Sequence, residues 1–346
     1  MNYPNRTTRR PGADEIAAQV AARVVGQPDA VNAIAPYVEL FQAGLSPEGR
    51  PAGVFLLLGP TGTGKTRTIE ALADVIHGSE RNILRVDCGE FQLDHEVAKL
   101  IGAPPGYLGH RETHPMLSQQ KVNTVSSDRS NLSLVLFDEI EKAAPSMARL
   151  LLGVLDKASL KLGDNTTVNF ERTLIFMTSN LGAREMMREM TAGLGFCRAL
   201  KGEAEIPSGK LQAIAERAMK RRFSPEFVNR IDRTITYRPL ERPDLERILD
   251  LQMADLRRHL FQRLGVRAFD VELTAGARDF LLTRGTSPEH GARELKRVIH
   301  RYLLQPIAGL VMRGETDPGG RVRADRNSDH TALNLRPWPL RRRDAA

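Results

Sequence analysis

Two cysteines, Cys88 and Cys197, are all that 346 residues contain, and they form neither a C-x-x-C pair nor a zinc pattern with clustered histidines. A disulfide scaffold and a structural zinc site are therefore excluded, and both thiols are expected to be reduced and structural. Aromatic residues make up 5% of the chain, too few for a platform on which bases stack. No apolar run reaches the ~18 residues of a membrane span, and the opening MNYPNRTTRRPGADE has basic residues with no apolar segment behind them. These features lead to the expectation of a cytoplasmic protein with no membrane partner.

What is present suits a globular protein. A hydrophobic content of 41% and a charged content of 27% supply an ordinary core and surface, and the length leaves room for about two domains of ~150 residues. The net charge of +8 raises the question of nucleic acid, since clustered Lys and Arg attract phosphate. Much of the excess lies in ERAMKRRF (216–223) and RPWPLRRRDAA (336–346), where no helix-turn-helix or stacking motif accompanies it. A solvated helix face and a loose tail explain both runs, so nucleic acid is not expected as a partner.

Residues 1–14 are polar and aperiodic and are expected to be disordered. Five short apolar runs follow: GVFLLLG from Gly53, NILRVDC from Asn82, LSLVLFDE from Leu132, TLIFMTSN from Thr173 and TITYRPL from Thr234. They are mostly continuous rather than alternating, the pattern of parallel strands buried on both faces, and helical patterns separate them. An α/β domain with a parallel five-stranded sheet flanked by helices is expected over residues 15–240. From 241 the texture changes to long amphipathic stretches with strand-like pieces at VRAFDVEL and RVRAD, read as a smaller, mainly helical α+β domain over 241–325. Residues 326–346 read as a basic tail.

GPTGTGKT (Gly59, Pro60, Thr61, Gly62, Thr63, Gly64, Lys65, Thr66) follows the first strand and opens a helix, as a phosphate-binding loop requires. Its glycines let backbone N–H groups turn around phosphate oxygens, Lys65 adds a point charge, and the Thr66 hydroxyl is a Mg2+ ligand. LVLFDEIEKA carries Asp138 and Glu139 to the carboxyl end of an apolar strand, where doubly wound sheets place ligands. Asp138 is assigned to Mg2+, and Glu139 to polarising the attacking water. Asn180 ends the next strand, able to orient the same water from the other side. ATP and Mg2+ are the expected ligands and ATP hydrolysis the expected reaction. No Ser/His/Asp or Cys/His nucleophile pattern appears, so no proteolytic activity is expected of this chain.

VVGQPDAV, GPTGTGKT, LIGAPPGYLG, LFDEIEKA, MTSNLG, FSPEFVNRID and HGARELKR occur in this order between Val24 and Arg323. With them the chain resembles the Clp family of AAA+ protein unfoldases, most closely the second ATPase module of its two-module members with the attached small domain. The resemblance implies an AAA+ P-loop fold and a ring, usually hexameric, with each nucleotide at a subunit boundary. It implies that Val25 packs the adenine, that Arg230 is the arginine finger reaching the neighbour's γ-phosphate, and that Arg293 senses nucleotide in its own subunit. Tyr107 and Leu108 in GYLG match the pore loop that grips a polypeptide substrate. Leu194, Gly195 and Phe196 fit the tripeptide by which some members dock a peptidase, although a buried loop anchor accounts for them equally.

The chain departs from the family in the polar segment 110–133, where a short GG-x-LT helix and a basic Pro-Tyr turn are usual. These residues also hold no substrate-receiving amino-terminal domain, first ATPase module or coiled-coil middle domain, so cooperation with a disaggregating co-chaperone is not expected. An ATP-driven, polypeptide-threading unfoldase is the expectation. The alternatives are a nucleic-acid-associated AAA+ protein and a regulatory ATPase that remodels one partner without threading.

Overall fold

The computed structural model describes residues 11–102, 115–194, 208–287 and 291–338. It divides into two compact units: the first runs to Arg238, and the second begins at Pro239, with Thr61–Thr63 grouped with the second.

Helices α1 (Ala13–Ala21) and α2 (Pro28–Gln42) precede strand β1 (Gly53–Leu58). After it come α3 (Lys65–His77), β2 (Leu84–Asp87), the short helices α4 (Ala98–Ile101) and α5 (Gln119–Thr124), and β3 (Ser133–Asp138). Next are α6 (Pro145–Lys157), a small antiparallel hairpin of β4 (Ser159–Lys161) and β5 (Thr167–Asn169), and β6 (Thr173–Ser179). The unit closes with α7 (Ala183–Leu194), α8 (Ser208–Arg222), α9 (Pro225–Val228) and β7 (Arg233–Thr236). The five main strands are parallel in the order β2-β3-β6-β1-β7.

Alternation along the central strands divides the core between the two faces. Val54, Leu56, Leu58, Val135, Phe137, Ile175 and Met177 join one hydrophobic cluster. Phe55, Leu57, Leu134, Leu136, Leu174 and Phe176 join the other, where α1, α2 and α3 pack and the Phe55 and Phe176 rings stack 5.1 Å apart. Full burial on both sides explains why β1 and β6 read as continuous apolar runs.

The second unit contains α10 (Arg242–Leu264), β8 (Asp270–Leu273), α11 (Ala275–Gly285), α12 (Ala292–Ile299), a π-helical turn at His300–Leu304, α13 (Gln305–Met312), β9 (Arg321–Arg326) and β10 (Leu333–Trp338). A capping box between Glu241 and Asp244, with Pro243 in the first turn, fixes the start of α10. β8 and β9 are parallel, and β10 is antiparallel to β9.

Two boundaries differ from expectation. α1 begins at Ala13, inside the stretch expected to be disordered, because Ile16 and Val20 on one helical face are buried. β10 falls within the expected basic tail. There Leu333 and Leu335 alternate onto the second unit's core, and Pro337 is tolerated because β10 is the outer strand.

Candidate functional site

β1 ends at Leu58 and α3 begins at Lys65, so residues 59–64 form the turn at the carboxyl edge of the sheet. Gly59, Gly62 and Gly64 all have positive φ, of 146°, 77° and 104°. At Gly59 a Cβ would lie 2.6 Å from the Tyr237 carbonyl oxygen, so only glycine fits. At Gly64, the N-cap of α3, a Cβ would meet nothing within 4 Å, and no side chain caps the helix. Gly64 itself brings no capping side chain to the start of α3, and the amino end of a helix after a glycine-rich turn suits an anion. Lys65 is buried, and its Nζ donates to the Gly59 carbonyl at 2.7 Å, the Pro60 carbonyl at 2.8 Å and Asn180 Oδ1 at 3.0 Å. Thr66, next on α3, is half-buried.

β3 and β6 are neighbours, and their carboxyl ends bring the acids and the asparagine together. Thr178 is buried on β6; its hydroxyl donates to Asp138 Oδ1 and accepts from the Glu139 backbone N–H at 3.0 Å. Glu139 itself sits in the left-handed region at φ 56°, a conformation a non-glycine residue keeps only where its surroundings hold it. Its carboxylate accepts from Asn180 Nδ2 at 3.5 Å and pairs with Lys142. That pairing raises the Lys142 pKa, chiefly through the hydrogen bond to Glu139. The Asn180 backbone N–H donates to Glu141 Oε1 at 3.1 Å, and Arg85 of β2 pairs with Asp138. Beneath this acidic edge lies Cys88, whose thiol pKa is pushed far up by burial and by the neighbouring carboxylates.

Val25 is buried, and the segment that carries it is pinned beside the end of β7. Gln27 Nε2 donates to the Arg238 carbonyl at 2.8 Å, Gln27 Oε1 accepts from the Arg238 N–H at 3.2 Å, and Arg238 Nε donates to the Gly26 carbonyl at 2.7 Å. Arg230 lies elsewhere. It precedes β7, whose first residue, Arg233, pairs with Phe55, and Asp232 donates its N–H to the Val54 carbonyl. Arg230 is thus on the amino-edge side of a parallel sheet whose carboxyl edge carries Lys65 and Glu139, about 20 Å away along a six-residue strand. Arg293 belongs to the second unit, exposed in the first turn of α12. Tyr107, Leu108, Gly195 and Phe196 lie outside the described residues, and Leu194 closes α7.

The family described as AAA domain (Cdc48 subfamily) matches residues 50–234, more than half of the chain. The chain belongs to the AAA family. Residues 240–324 match the C-terminal, D2-small domain of ClpB protein. The chain is 38% identical over 307 residues to the chaperone protein ClpB of Rhodopirellula baltica, covering 89% of this chain and 32% of that protein. It is 39% identical over 328 residues to ClpB of Rhizobium meliloti, covering 95% of this chain and 35% of that one. The chain spans about a third of the length of these relatives. A closed-state Hsp104 structure with ATPγS and FITC casein superposes with a TM-score of 0.77 at 28% identity, over 93% of this chain and 51% of that one.

As an AAA module, the chain holds donors of the right chemistry for Mg–ATP. A hydroxyl at Thr66 and a carboxylate at Asp138 are hard oxygen ligands, and Mg2+ is commonly held by only one or two protein groups beside substrate phosphates. Among the described residues no cluster of three or more His, Cys, Asp or Glu could hold a metal alone, and no helix is long and apolar enough to cross a membrane. The sequence reasoning missed Thr178, Arg85 and Lys142. Thr178 left little signal, since Thr173 and Ser179 are hydroxyl residues of the same strand; Arg85 and Lys142 acquire their partners only through strand order and the turn after β3.

Proposed function

We propose that the protein is a cytoplasmic, ATP-driven polypeptide unfoldase of the Clp type, working as a ring, usually hexameric, in which each nucleotide is completed by a neighbour. The observation that carries this reading is the division of parts across the sheet. Lys65, Asp138, Glu139 and Asn180 stand at the carboxyl edge, and Arg230 is on the amino-edge side, where it reaches another subunit's nucleotide rather than its own.

In the proposed cycle Gly59–Gly64 and the start of α3 receive the phosphates, with Lys65 released from the Gly59 and Pro60 carbonyls to meet them. The Thr66 hydroxyl and the Asp138 carboxylate would hold Mg2+, which would supply charge neutralisation for the phosphates. Arg85 now occupies the carboxylate that ion would use and has to yield it. Glu139 draws the proton of the attacking water, and Asn180 holds that water from the other side. Val25 packs the adenine, Arg293 reports nucleotide within its own subunit, and Tyr107 with Leu108 grips the polypeptide through sequence-tolerant apolar contact.

The test is steady-state ATPase at near-physiological salt with an unfolded protein such as casein, with DNA, or with neither. Stimulation by the unfolded protein alone supports this reading. Stimulation by DNA instead supports a nucleic-acid-associated ATPase, and indifference to both supports a remodelling ATPase specific for one partner.

A further inference from the structure

Asp156 is the second-last residue of α6, where the helix dipole places partial negative charge and an acidic side chain is disfavoured. Its partner is Arg230: Nη1 lies 3.0 Å from Asp156 Oδ1, with the two side chains 38% and 35% exposed. An ion pair this exposed contributes little, so it is a poor stability device. It fixes direction instead, on a side chain with several rotatable bonds. The contact runs through the terminal nitrogen Nη1, and a guanidinium has five N–H donors, so others can meet an oxyanion while this one stays on the carboxylate.

The segment bearing Arg230 is also fixed at its other end. Arg222, the last residue of α8, donates from Nε and Nη2 to the Glu141 carbonyl at 3.0 and 2.9 Å and from Nη2 to the Ala143 carbonyl at 2.9 Å. Those carbonyls belong to the turn between Glu139 and the start of α6. The stretch from Arg222 to Arg230 is therefore tied to both ends of α6, first beside the subunit's own hydrolytic turn and then at Asp156. The Phe223 and Phe227 rings stack 5.1 Å apart between the two ties.

We propose that Asp156 is the positioning residue for Arg230, a negative seat at the end of α6 that aims the guanidinium at the neighbouring subunit's nucleotide. This rests on the reading of Arg230 as acting between subunits. The structure gives that residue a same-chain carboxylate partner at the sheet end away from its own phosphate loop, which is what a group presented outward needs.

The test measures ATPase of full-length Asp156→Ala, Asp156→Glu and Arg230→Ala, each alone and mixed with Glu139→Gln subunits that cannot hydrolyse but keep an intact Arg230. For Asp156→Ala alone, kcat should fall about tenfold, in line with the cost of misplacing a catalytic group, with KM for ATP unchanged within a factor of two. Its melting temperature should hold or rise, because an acid has left a helix C-terminus; a structural role predicts the opposite. Asp156→Glu should recover most of kcat, and mixing with Glu139→Gln should raise turnover per Asp156→Ala subunit, because the Ala subunit's own site then receives a correctly seated arginine. If the Arg230→Ala mixture recovers but Asp156→Ala keeps wild-type kcat, or loses activity that neither mixing nor glutamate restores, the seat is refuted while the shared site stands. If the Arg230→Ala mixture fails to recover, the shared site falls and the seat falls with it.

Discussion

Lys65 and Asn180 are hydrogen-bonded, Nζ to Oδ1 at 3.0 Å, although 115 residues separate them in the chain. The same amide turns its other end to Glu139, so one side chain bridges Lys65 and the carboxylate proposed as general base. Asn180→Ala should leave ATP binding within a few-fold, since the loop and Lys65 persist. Its kcat should fall by ~10–100-fold as the water and Glu139 lose alignment. Equilibrium binding of a fluorescent nucleotide beside single-turnover hydrolysis separates the two. A large loss of affinity with unchanged hydrolysis of bound nucleotide would make Asn180 a binding residue only.

Thr178 holds both Asp138 and the backbone of Glu139 through one hydroxyl. Thr178→Val keeps the shape and removes the bonds, leaving Asp138 oriented by the Arg85 pair instead. Groups that orient a metal ligand are typically worth 10–100-fold in metal affinity. The Mg2+ concentration for half-maximal ATPase should therefore rise by about tenfold. An unchanged Mg2+ titration would deny Thr178 this role.

His77, buried at the last position of α3 with Nδ1 2.9 Å from Ser127 Oγ, carries a pH signature. Burial lowers its pKa from the ordinary 6.5, outweighing the opposing influence of the nearby Leu132 backbone. The unfolded chain therefore binds a proton that the folded chain refuses, so stability is whole above about pH 6.5 and declines as pH falls below it. Urea unfolding at pH 7.5 and 5.5 should show a smaller acid loss in His77→Gln than in the wild type. Equal losses would place the acid sensitivity elsewhere.

Much of this was legible in the sequence because local chemistry wrote it there. The five strands announced themselves as apolar runs, and GPTGTGKT and LVLFDE specify a turn and a strand end whose residue types have few other uses together. The change to long amphipathic stretches at 241 marks the start of α10 (Arg242–Leu264). The hairpin of β4 and β5 went unread because three-residue strands carry no periodicity, and β10 was hidden by a proline and basic neighbours. Arg85, Thr178 and Asp156 each look like surface or strand filler until strand order and helix direction bring a partner to them. Pairings of that kind are long-range facts, and no local pattern encodes them.

The central claim is that ATP turnover is spent on moving polypeptide, and Tyr107→Ala tests it most directly, read by a thermal melt, basal ATPase and unfolding of a tagged substrate on one preparation. The account predicts an unchanged melt, basal ATPase within a few-fold, and loss of both unfolding and substrate-stimulated turnover. The reason is that the proposed nucleotide site is built from Lys65, Asp138, Glu139 and Asn180 without Tyr107. A buried core ring would instead cost ~3–5 kcal/mol on truncation and lower every activity together with the melting temperature. That parallel loss, or unfolding that continues unimpaired in the alanine variant, would contradict the account.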